Sequence, residues 1–299
     1  MRRPPLRAAA ALLAAVSVNA AAVDPDQGIT VYAAGDIARC AYRDPAYSGA
    51  ADTAATVAAG LAQDPQAVVL ALGDLTYPHG AIKEFIGCYA PTWGRFKDRT
   101  WPAPGNHEYY TPGAKPYFDW WGARAGRGYY SFELGTWHIV SLDSNLAPSQ
   151  HAAQLDWLRA DLAAHPARCT LAYWHHPLYS SGGHGSIPKM RDAWQLLYAA
   201  GAELVLSGHD HDYERFAPQD ADGRLDPTRG LRQFVVGTGG AYPTPFLLTV
   251  AHSEVRDANR TGVLRLRLYA GGYGWEFVES TRLSSFGIAP PDRGSAACH

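Results

Sequence analysis

Five short stretches of this chain carry side chains that bind metal ions. They are Gly35-Asp36, Gly73-Asp74-Leu75-Thr76-Tyr77, Gly105-Asn106-His107-Glu108, His175-His176-Pro177 and Gly208-His209-Asp210-His211. Their carboxylate, phenol, amide and imidazole groups suit iron, zinc or manganese, and they do not suit a soft-metal thiolate site. Together they supply enough ligands for two ions that share one ligand. Two metal ions a few ångströms apart are the usual device for hydrolysing phosphate esters.

Most of these stretches follow a run that predicts a β-strand. Residues 29–34 are β-branched and apolar and end at Gly35, and residues 67–72 end at Gly73. Residues 50–61, between them, are rich in alanine and have helical spacing. This β-α-β order predicts parallel strands whose carboxyl ends lie together. Ligands at these ends are expected to meet in one crevice, the usual binding place in open α/β sheets.

The rest of the chain predicts a mixture of strands and helices. Apolar and polar residues alternate on both sides of Gly135-Thr136, which indicates a hairpin over 130–141. Leu155, Leu158 and Leu162 lie on one face of a predicted helix over 150–164. Further predicted elements are strands at 169–174 and 203–207, a helix at 189–200, and strands near 233–236, 262–269 and 275–280. This mixture favours two sheets packed face to face with helices outside.

The N-terminus has the features of a targeting segment. Arg2, Arg3 and Arg7 precede a short apolar run over 8–18, and small residues at 18–22 offer cleavage sites. The run is shorter than the roughly 20 residues that span a bilayer, and no later segment is apolar enough for a membrane span. We therefore expect a signal peptide over 1–22 and a periplasmic or secreted product. The general secretory route is favoured over the twin-arginine route, because the usual aromatic residue after the arginine pair is missing.

The composition agrees with an exported enzyme. A hydrophobic fraction of 47% and a net charge of −2 exclude a disordered chain and a polyanion-binding surface, so no nucleic-acid partner is expected. The candidate ligands spread over most of the chain, and no linker or repeat separates them. Residues 23–299 are therefore predicted to form a single catalytic domain whose partner is a small phosphorylated substrate.

Taken together, the five stretches resemble the calcineurin-like metallophosphoesterases and, within them, the purple acid phosphatases. The resemblance also includes residues 154–162 and 236–240. Tyr77 indicates the purple branch, and Ala38 stands where many other members place a histidine and the purple enzymes usually place glycine. The resemblance implies an α/β fold with two packed mixed β-sheets flanked by helices, a four-layer sandwich. Because the first motif begins soon after the N-terminus, we expect the catalytic domain without the N-terminal β-sandwich domain of many relatives.

The family motifs imply how the ligands are shared between the ions. The first ion would be held by Asp36, Asp74, Tyr77 and His211. The second would be held by Asp74, Asn106, His175 and His209, so that Asp74 bridges both. Composition alone allows either His175 or His176 as a ligand, and the family motif His-x-Pro selects His175. Ligation by the Tyr77 phenolate favours iron in the first position, and the second would take iron, zinc or manganese.

His107 and His184 are the expected catalytic residues. His107 follows a ligand and would orient the substrate phosphate or give a proton to the leaving oxygen. His184 lies in a glycine-rich loop over 181–185, where the family places substrate-binding histidines. Glu108 is expected to anchor its loop, and the glycine-rich residues 237–240 are expected to form a structural turn near the metals.

These features predict a secreted dimetal phosphoesterase that hydrolyses phosphate monoesters by attack of a metal-bound hydroxide, as acid phosphatases do. The first alternative is a phosphodiesterase or nucleotidase that uses the same dimetal site and differs in pocket shape. The second is a metal-binding protein without hydrolytic activity. It is disfavoured because no ligand position is missing.

Four cysteines in an exported protein predict disulfides, for which three pairings are possible. Cys40 and Cys88 each lie shortly after a metal-bearing strand, so their loops are expected to meet near the rim of the site. We therefore favour Cys40–Cys88, with Cys169–Cys298 holding the C-terminal tail. Free buried thiols are the alternative.

Overall fold

Two mixed β-sheets pack face to face in this protein. The structure is a computed structural model that describes residues 28–280 and 292–299. The predicted signal peptide over 1–22 lies outside the described residues. The strands, in chain order, are β1 (Ile29–Ala34), β2 (Ala38–Arg39), β3 (Val68–Leu72), β4 (Thr76–Tyr77), β5 (Thr100–Ala103), β6 (Tyr130–Leu134), β7 (Trp137–Ser141), β8 (Cys169–Tyr173), β9 (Leu204–Ser207), β10 (Tyr213–Phe216), β11 (Arg232–Val236), β12 (Ser253–Asp257), β13 (Gly262–Tyr269), β14 (Gly272–Glu279) and β15 (Arg293–Ala297).

Each large sheet combines parallel and antiparallel strands. The first sheet has the order β15-β14-β13-β1-β3-β5, in which β1, β3 and β5 are parallel. The second has the order β12-β10-β11-β9-β8-β7-β6, in which β7, β8, β9 and β11 are parallel. Strands β2 and β4 form a separate parallel pair. The predicted fold class, an α/β fold with two packed mixed sheets and helices, is confirmed.

Helices cover the outer faces of both sheets. The α-helices are α1 (Gly49–Gln63), α2 (Ile82–Glu84), α3 (Asn106–Tyr109), α4 (Lys115–Trp121), α5 (Pro148–Ala164) and α6 (Arg191–Ala199). Short 3₁₀ helices lie at Pro45–Tyr47, Trp93–Arg99, Pro112–Ala114, Gly122–Ala125 and Pro188–Met190, and a π-helical turn lies at Phe85–Tyr89. Ser48 caps the start of helix α1, because its hydroxyl accepts a hydrogen bond from the Ala51 amide and so satisfies a free helix donor.

The apolar core has two parts, which together define the layers. One lies between the sheets, where Val31 and Leu70 of the first sheet share a cluster with Leu171 and Phe234 of the second. The other lies between the second sheet and helices α5 and α6. Its members include Val140, Val205, Leu158, Trp194 and Leu197. Val57 of α1 packs on the first sheet in the same cluster as Val31. The order is therefore helix, sheet, sheet, helix, and burial of each large apolar side chain contributes about 1.5–3 kcal/mol.

Two disulfide bonds cross-link the chain. Cys40 is joined to Cys88, and Cys169 is joined to Cys298. No cysteine in the described residues is free. The favoured pairing is therefore confirmed. The Cys40–Cys88 bond joins the segments that follow β1 and β3, and the Cys169–Cys298 bond ties the start of β8 to the residue after β15.

Candidate metal centre

The candidate ligands lie at the carboxyl ends of parallel strands. Asp36 and Asp74 follow β1 and β3, and His175 and His209 follow β8 and β9. Asn106 follows β5, a strand that the sequence did not predict because Pro102 interrupts it. Since the parallel parts of the two sheets face each other across the core, the strand ends of both sheets meet at one edge of the sandwich. All seven predicted ligands come together there.

One group of ligands forms around the hydroxyl of Tyr77. This hydroxyl lies 2.8 Å from Asp36 Oδ1, 3.2 Å from Asp74 Oδ2 and 3.1 Å from His211 Nε2. His211 Nε2 also lies 3.4 Å from Asp36 Oδ1. The other ring nitrogen of His211 donates to the Tyr242 carbonyl at 2.7 Å, which fixes the orientation of the imidazole. These four residues are the set that the family motifs assign to the first ion.

A second group forms around His175. Its Nε2 lies 3.2 Å from Asp74 Oδ2, 3.1 Å from Asn106 Oδ1 and 3.3 Å from His209 Nδ1. The Nδ1–H of His175 donates to the Leu72 carbonyl at 2.8 Å, so Nε2 is the nitrogen available to a metal. Asp74 Oδ2 contacts both groups. The geometry therefore places this carboxylate between two candidate ion positions.

The electrostatics of the centre fit a pair of cations. Asp36, Asp74 and His175 are fully buried or 1% exposed. Burial alone would raise the pKa of Asp74, but the charge and hydrogen bond of His175 outweigh it and hold the pKa below its usual range. Burial opposes protonation of His175, yet the Asp74 carboxylate raises its pKa to about 10. Burial and then the two carboxylates raise the pKa of Tyr77 well above its ordinary value. A buried carboxylate that stabilises the positive charge of a neighbouring imidazolium this strongly would also stabilise a metal cation.

His209 is prepared for ligation in a different way. Burial, and after it the positive charge of His175, lowers the pKa of His209 to about 2. Its imidazole is therefore neutral, the form in which histidine binds metal. The donor set as a whole consists of carboxylate, phenol, amide and imidazole groups, which is the set that iron, zinc and manganese prefer.

His107 lies at the rim of this centre. Its amide donates to Asp74 Oδ1 at 2.8 Å, and its ring lies 4.2 Å from the Tyr77 ring, centroid to centroid. Its Nδ1 lies 2.7 Å from the Pro78 carbonyl, which can only accept, so Nδ1 carries a proton. The remaining nitrogen, Nε2, lies 3.8 Å from Asp74 Oδ2 and faces the ligand cluster.

His184 lies on the opposite side of the centre. Its ring centroid is 4.5 Å from that of His209 and 6.2 Å from that of His211. Both its amide and its Nδ1 are held by Asp210 Oδ1, at 2.7 Å and 3.1 Å. This bond to Asp210 is the largest cause of the raised pKa of His184. The sequence analysis gave Asp210 no role, although its place between the histidines of Gly208-His209-Asp210-His211 was a signal.

His176 points toward the same cluster. Its ring centroid lies 4.5 Å from that of His209, and its Nδ1 lies 2.7 Å from the Ser144 hydroxyl. The Ser144 hydroxyl also accepts a hydrogen bond from the His176 amide at 3.1 Å. Ser144 is 32 positions away in the chain, and nothing in its local sequence indicates this contact.

Glu108 anchors the backbone around the centre. Its carboxylate accepts hydrogen bonds from the amides of Asp74, Leu75, Thr76 and Gly105. These bonds fix the loop of the bridging carboxylate against the loop of Asn106. The expectation that Glu108 holds its loop is therefore confirmed.

Two glycines are required by close packing at the centre. A Cβ on Gly105 would lie 2.1 Å from Asp74 Oδ1, and one on Gly237 would lie 1.9 Å from the Asp210 carbonyl oxygen. The segment after Gly237 returns against the first loop, where the Gly239 amide donates to the Gly35 carbonyl at 2.9 Å. The glycine-rich residues 237–240 are thus a structural turn, as expected.

None of the helices in the described ranges is long and apolar enough to cross a membrane.

Comparison with known proteins links this geometry to one family. The family model described as calcineurin-like phosphoesterase matches residues 29–213. Purple acid phosphatase 15 of Arabidopsis thaliana is 30% identical over 58% of this chain and 40% of its own length. Acid phosphatase type 7 of Homo sapiens is 31% identical over 56% of this chain and 46% of its own length. The chain thus spans less than half the length of these two relatives.

Solved structures share the fold. A purple acid phosphatase isolated from yellow lupin (Lupinus luteus) seeds superimposes with a TM-score of 0.67 at 20% identity, over 90% of this chain and 53% of that one. A dimetal phosphatase from Danio rerio superimposes with a TM-score of 0.64 at 13% identity, over 92% of this chain and 100% of that one. The resemblance that the five motifs indicated is confirmed, including the similarity to the purple branch.

Proposed function

The chain belongs to the calcineurin-like phosphoesterase family, and from this membership we propose that it is an exported, acid phosphatase-like hydrolase of phosphate monoesters. The observation that carries the proposal is the position of Asp74 Oδ2, 3.2 Å from the Tyr77 hydroxyl and 3.2 Å from His175 Nε2. One carboxylate oxygen thus contacts two separate ligand groups, as a dimetal centre requires.

The two groups would divide the ligands between two ions. The group around Tyr77 would hold the first ion, which we propose is iron because of the phenolate ligand. The group around His175 would hold iron, zinc or manganese. When bound, such ions neutralise the phosphate charge and lower the pKa of water, so that hydroxide forms at modest pH.

The remaining chemistry falls to residues of the chain. As the oxygen of water bonds to phosphorus, the bond from phosphorus to the ester oxygen breaks, and the departing oxygen takes up a proton. A protonated His107 keeps its Nδ1–H on the Pro78 carbonyl and presents its Nε2 proton to the site. General acid catalysis of this kind contributes about 10²–10⁴-fold. His184, fixed by Asp210, would bind phosphate oxygens from the other side.

Two further proposals concern the chain as a whole. Strand β1, near one end, and strand β15, near the other, lie in the same sheet, which supports a single catalytic domain over residues 23–299. Two disulfides support export, because such bonds persist in oxidising compartments. N-terminal sequencing of the protein exported by a bacterial host tests this point. A mature chain that begins near residue 23 is expected, and an unprocessed cytoplasmic chain would contradict it.

Hydrolysis of p-nitrophenyl phosphate and of its bis-ester tests the reaction. The metal-loaded protein should hydrolyse the monoester with a kcat/KM at least tenfold above that for the bis-ester. A chelator should remove the activity, and metal should restore it. A faster reaction with the bis-ester would favour the phosphodiesterase alternative. Absence of both reactions in protein that holds two ions per chain would leave only metal binding.

A further inference from the structure

A cavity of about 460 Å³ opens directly beside the first ligand group. Its lining includes Tyr77 and His211 of the first ligand group, together with Arg39, Pro78, Ala241 and Tyr242. The volume is within the range of about 300–1,000 Å³ that small-molecule sites occupy. A phosphate ester at the metal centre would extend its organic part toward this space or away from it. The lining determines what the cavity can hold.

Arg39 is placed at this cavity by the parallel pair β2 and β4. In that pair Arg39 is the register partner of Tyr77. Paired residues of adjacent strands project from the same face of a ladder. The Arg39 side chain therefore leaves the backbone next to the side chain of Tyr77, a residue assigned to the first ion.

The Arg39 guanidinium lies over an aromatic ring. Its central carbon lies 3.9 Å from the centroid of Tyr242, the distance of a cation–π contact. The Tyr242 backbone is itself fixed, because its carbonyl accepts the hydrogen bond from His211 Nδ1 at 2.7 Å. Both members of the stack are thus connected to ligands of the first group. The guanidinium is held in a defined place relative to the metal centre.

No carboxylate in the part of the chain that the structure describes pairs with Arg39. Within residues 28–280 and 292–299, Arg39 forms no ion pair, whereas Arg215 and Arg232 both pair with Glu254. A guanidinium stacked on a ring keeps the N–H donors at its edge free, and those donors match the oxygens of a carboxylate or phosphate. The apolar walls at Pro78 and Ala241 offer contact to a carbon skeleton and no counter-charge.

We propose that this cavity binds the organic part of the substrate and that Arg39 recognises a second anionic group on it, a carboxylate or a further phosphate. The preferred substrates are then esters that carry an anion besides the phosphate that is cleaved. This inference rests on the proposed function, because it concerns the same reaction. Charge-assisted hydrogen bonds of this kind correspond to roughly tenfold or more in affinity.

Kinetics on matched esters test the proposal. Phenyl phosphate is compared with phenyl phosphates that carry a carboxylate or a second phosphate at the meta or para position. The wild type should prefer at least one substituted ester by about tenfold in kcat/KM. In Arg39→Gln, the kcat/KM for the substituted ester divided by the kcat/KM for phenyl phosphate should be close to one. Arg43→Gln, which removes an exposed arginine four positions away, should leave the ratio as in the wild type. The better substituent distinguishes a carboxylate from a phosphate as the second anion.

Calorimetry with phosphonates that resist hydrolysis gives a readout that does not depend on turnover. Arg39→Gln should weaken binding of a carboxyphenyl phosphonate about tenfold more than binding of phenyl phosphonate. Suppose that phenyl phosphate is hydrolysed but Arg39→Gln changes neither the kcat/KM ratio of the esters nor the affinity ratio of the phosphonates. The inference is then wrong and the proposed function stands. If metal-loaded wild type hydrolyses none of the esters, the proposed function fails and the inference fails with it.

Discussion

At the scale of single residues, the centre imposes an unusual backbone on its own ligands. Asp36, Asp74 and His209 have φ angles of 59°, 49° and 73°, in the left-handed region that side chains other than glycine rarely adopt. Such conformations cost of the order of 1–3 kcal/mol each and persist where the surrounding contacts fix them. Two hydrogen bonds fix the backbone here: the His209 amide donates to Asp36 Oδ2 at 2.8 Å, and Glu108 accepts from the Asp74 amide at 3.0 Å. The unusual backbone at these positions is therefore supported by contacts within the protein.

The bridging role proposed for Asp74 leads to the first prediction. Asp74→Asn keeps the size of the side chain but removes the negative charge that both ion positions share. We expect loss of both ions and loss of phosphatase activity, measured by metal analysis and by turnover of p-nitrophenyl phosphate. A purified variant that retained two ions per chain and near-normal turnover would show that the assignment of ligands is wrong.

His107 should affect the rate and not the metal content. In His107→Ala the amide that donates to Asp74 Oδ1 remains, so both ions should stay bound. Turnover is expected to fall by about 10²–10⁴-fold, the usual contribution of a general acid. Metal loss would identify His107 as a ligand, and an unchanged rate would leave His184 as the better proton donor.

Tyr77 determines whether the iron-loaded protein is coloured. A phenolate bound to ferric iron absorbs visible light strongly, and carboxylate and imidazole ligands do not. Tyr77→Phe retains the ring and deletes only the oxygen that contacts Asp36 and His211. We expect the visible band to vanish while part of the iron remains bound. An unchanged spectrum in the variant would separate this chain from the purple branch.

At the scale of elements, a buried charge network joins the hairpin β6–β7 to helix α5. His138 of β7 is 1% exposed, and its ring nitrogens lie 2.7 Å from Glu133 Oε1 and 2.8 Å from Asp161 Oδ2. Asp161 also accepts a hydrogen bond from Ser131 at 2.7 Å and lies 3.3 Å from His165 Nδ1. The network fixes the edge of the second sheet to the helix that covers it.

The network should make stability depend on pH. Burial opposes the charge on His138, but Asp161 and Glu133 outweigh it and raise its pKa above 6.5. The stabilisation of the fold by protonated His138 is therefore complete below about pH 6.5. It is lost as pH rises through the higher pKa that His138 has in the folded state. Burial also opposes the charge on Asp161, but the hydrogen bond of His138 lowers its pKa. The stabilisation of the fold by ionised Asp161 is present above about pH 4 and is lost as pH falls further.

Denaturation of His138→Gln checks this expectation. The variant should be less stable than the wild type by about 2–3 kcal/mol between pH 4 and pH 6.5, the value of hydrogen bonds to charged groups. The difference should become smaller as pH rises through the folded pKa of His138. His79→Gln, which changes an exposed histidine, serves as the control. A difference that does not vary with pH would mean that His138 acts by packing alone.

At the scale of the whole molecule, the bond between Cys169 and Cys298 holds the C-terminal strand to the second sheet. It joins residues that are 129 positions apart, and β15 pairs along β14 in the first sheet. The bond therefore closes residues 169–298 into one loop and connects both sheets at the edge far from the candidate ligands.

Removal of this bond should lower the stability of the entire fold. In the chain-entropy description a loop of about 100 residues is stabilised by roughly 4–5 kcal/mol. The double variant Cys169→Ala/Cys298→Ala should lose a comparable amount in urea denaturation while its metal content stays at two ions per chain. An unchanged denaturation midpoint would show that the tail contributes nothing to the global stability.

The sequence alone was sufficient to predict those strands whose local residue pattern agrees with their burial. Strands β1 and β3 are buried on both faces, so they read as continuous apolar runs, and each ends at a glycine followed by an aspartate. Residue identity indicated the kinds of candidate ligand and the order of their motifs, the resemblance to the family motifs selected the seven candidate ligands, and the position of the cysteines after the strands indicated their pairing. The reason is that metal ligation requires particular side chains, and these stand at strand ends that the chain marks with glycine.

Only the tertiary structure decided the features that depend on distant neighbours. Strands β10 and β12 carry charged residues, Tyr213-Glu214-Arg215-Phe216 and Ser253-Glu254-Val255-Arg256-Asp257, and they form because each pairs with an adjacent strand. The supports of the site, Ser144 on His176 and Asp210 on His184, join segments 26 to 32 positions apart. The same holds for the stack of Arg39 on Tyr242, which no local pattern encodes because it arises where strand β2 meets the loop that carries Tyr242. The sequence therefore determined which chemistry is present, and the packing of the two sheets determined what surrounds and orients it.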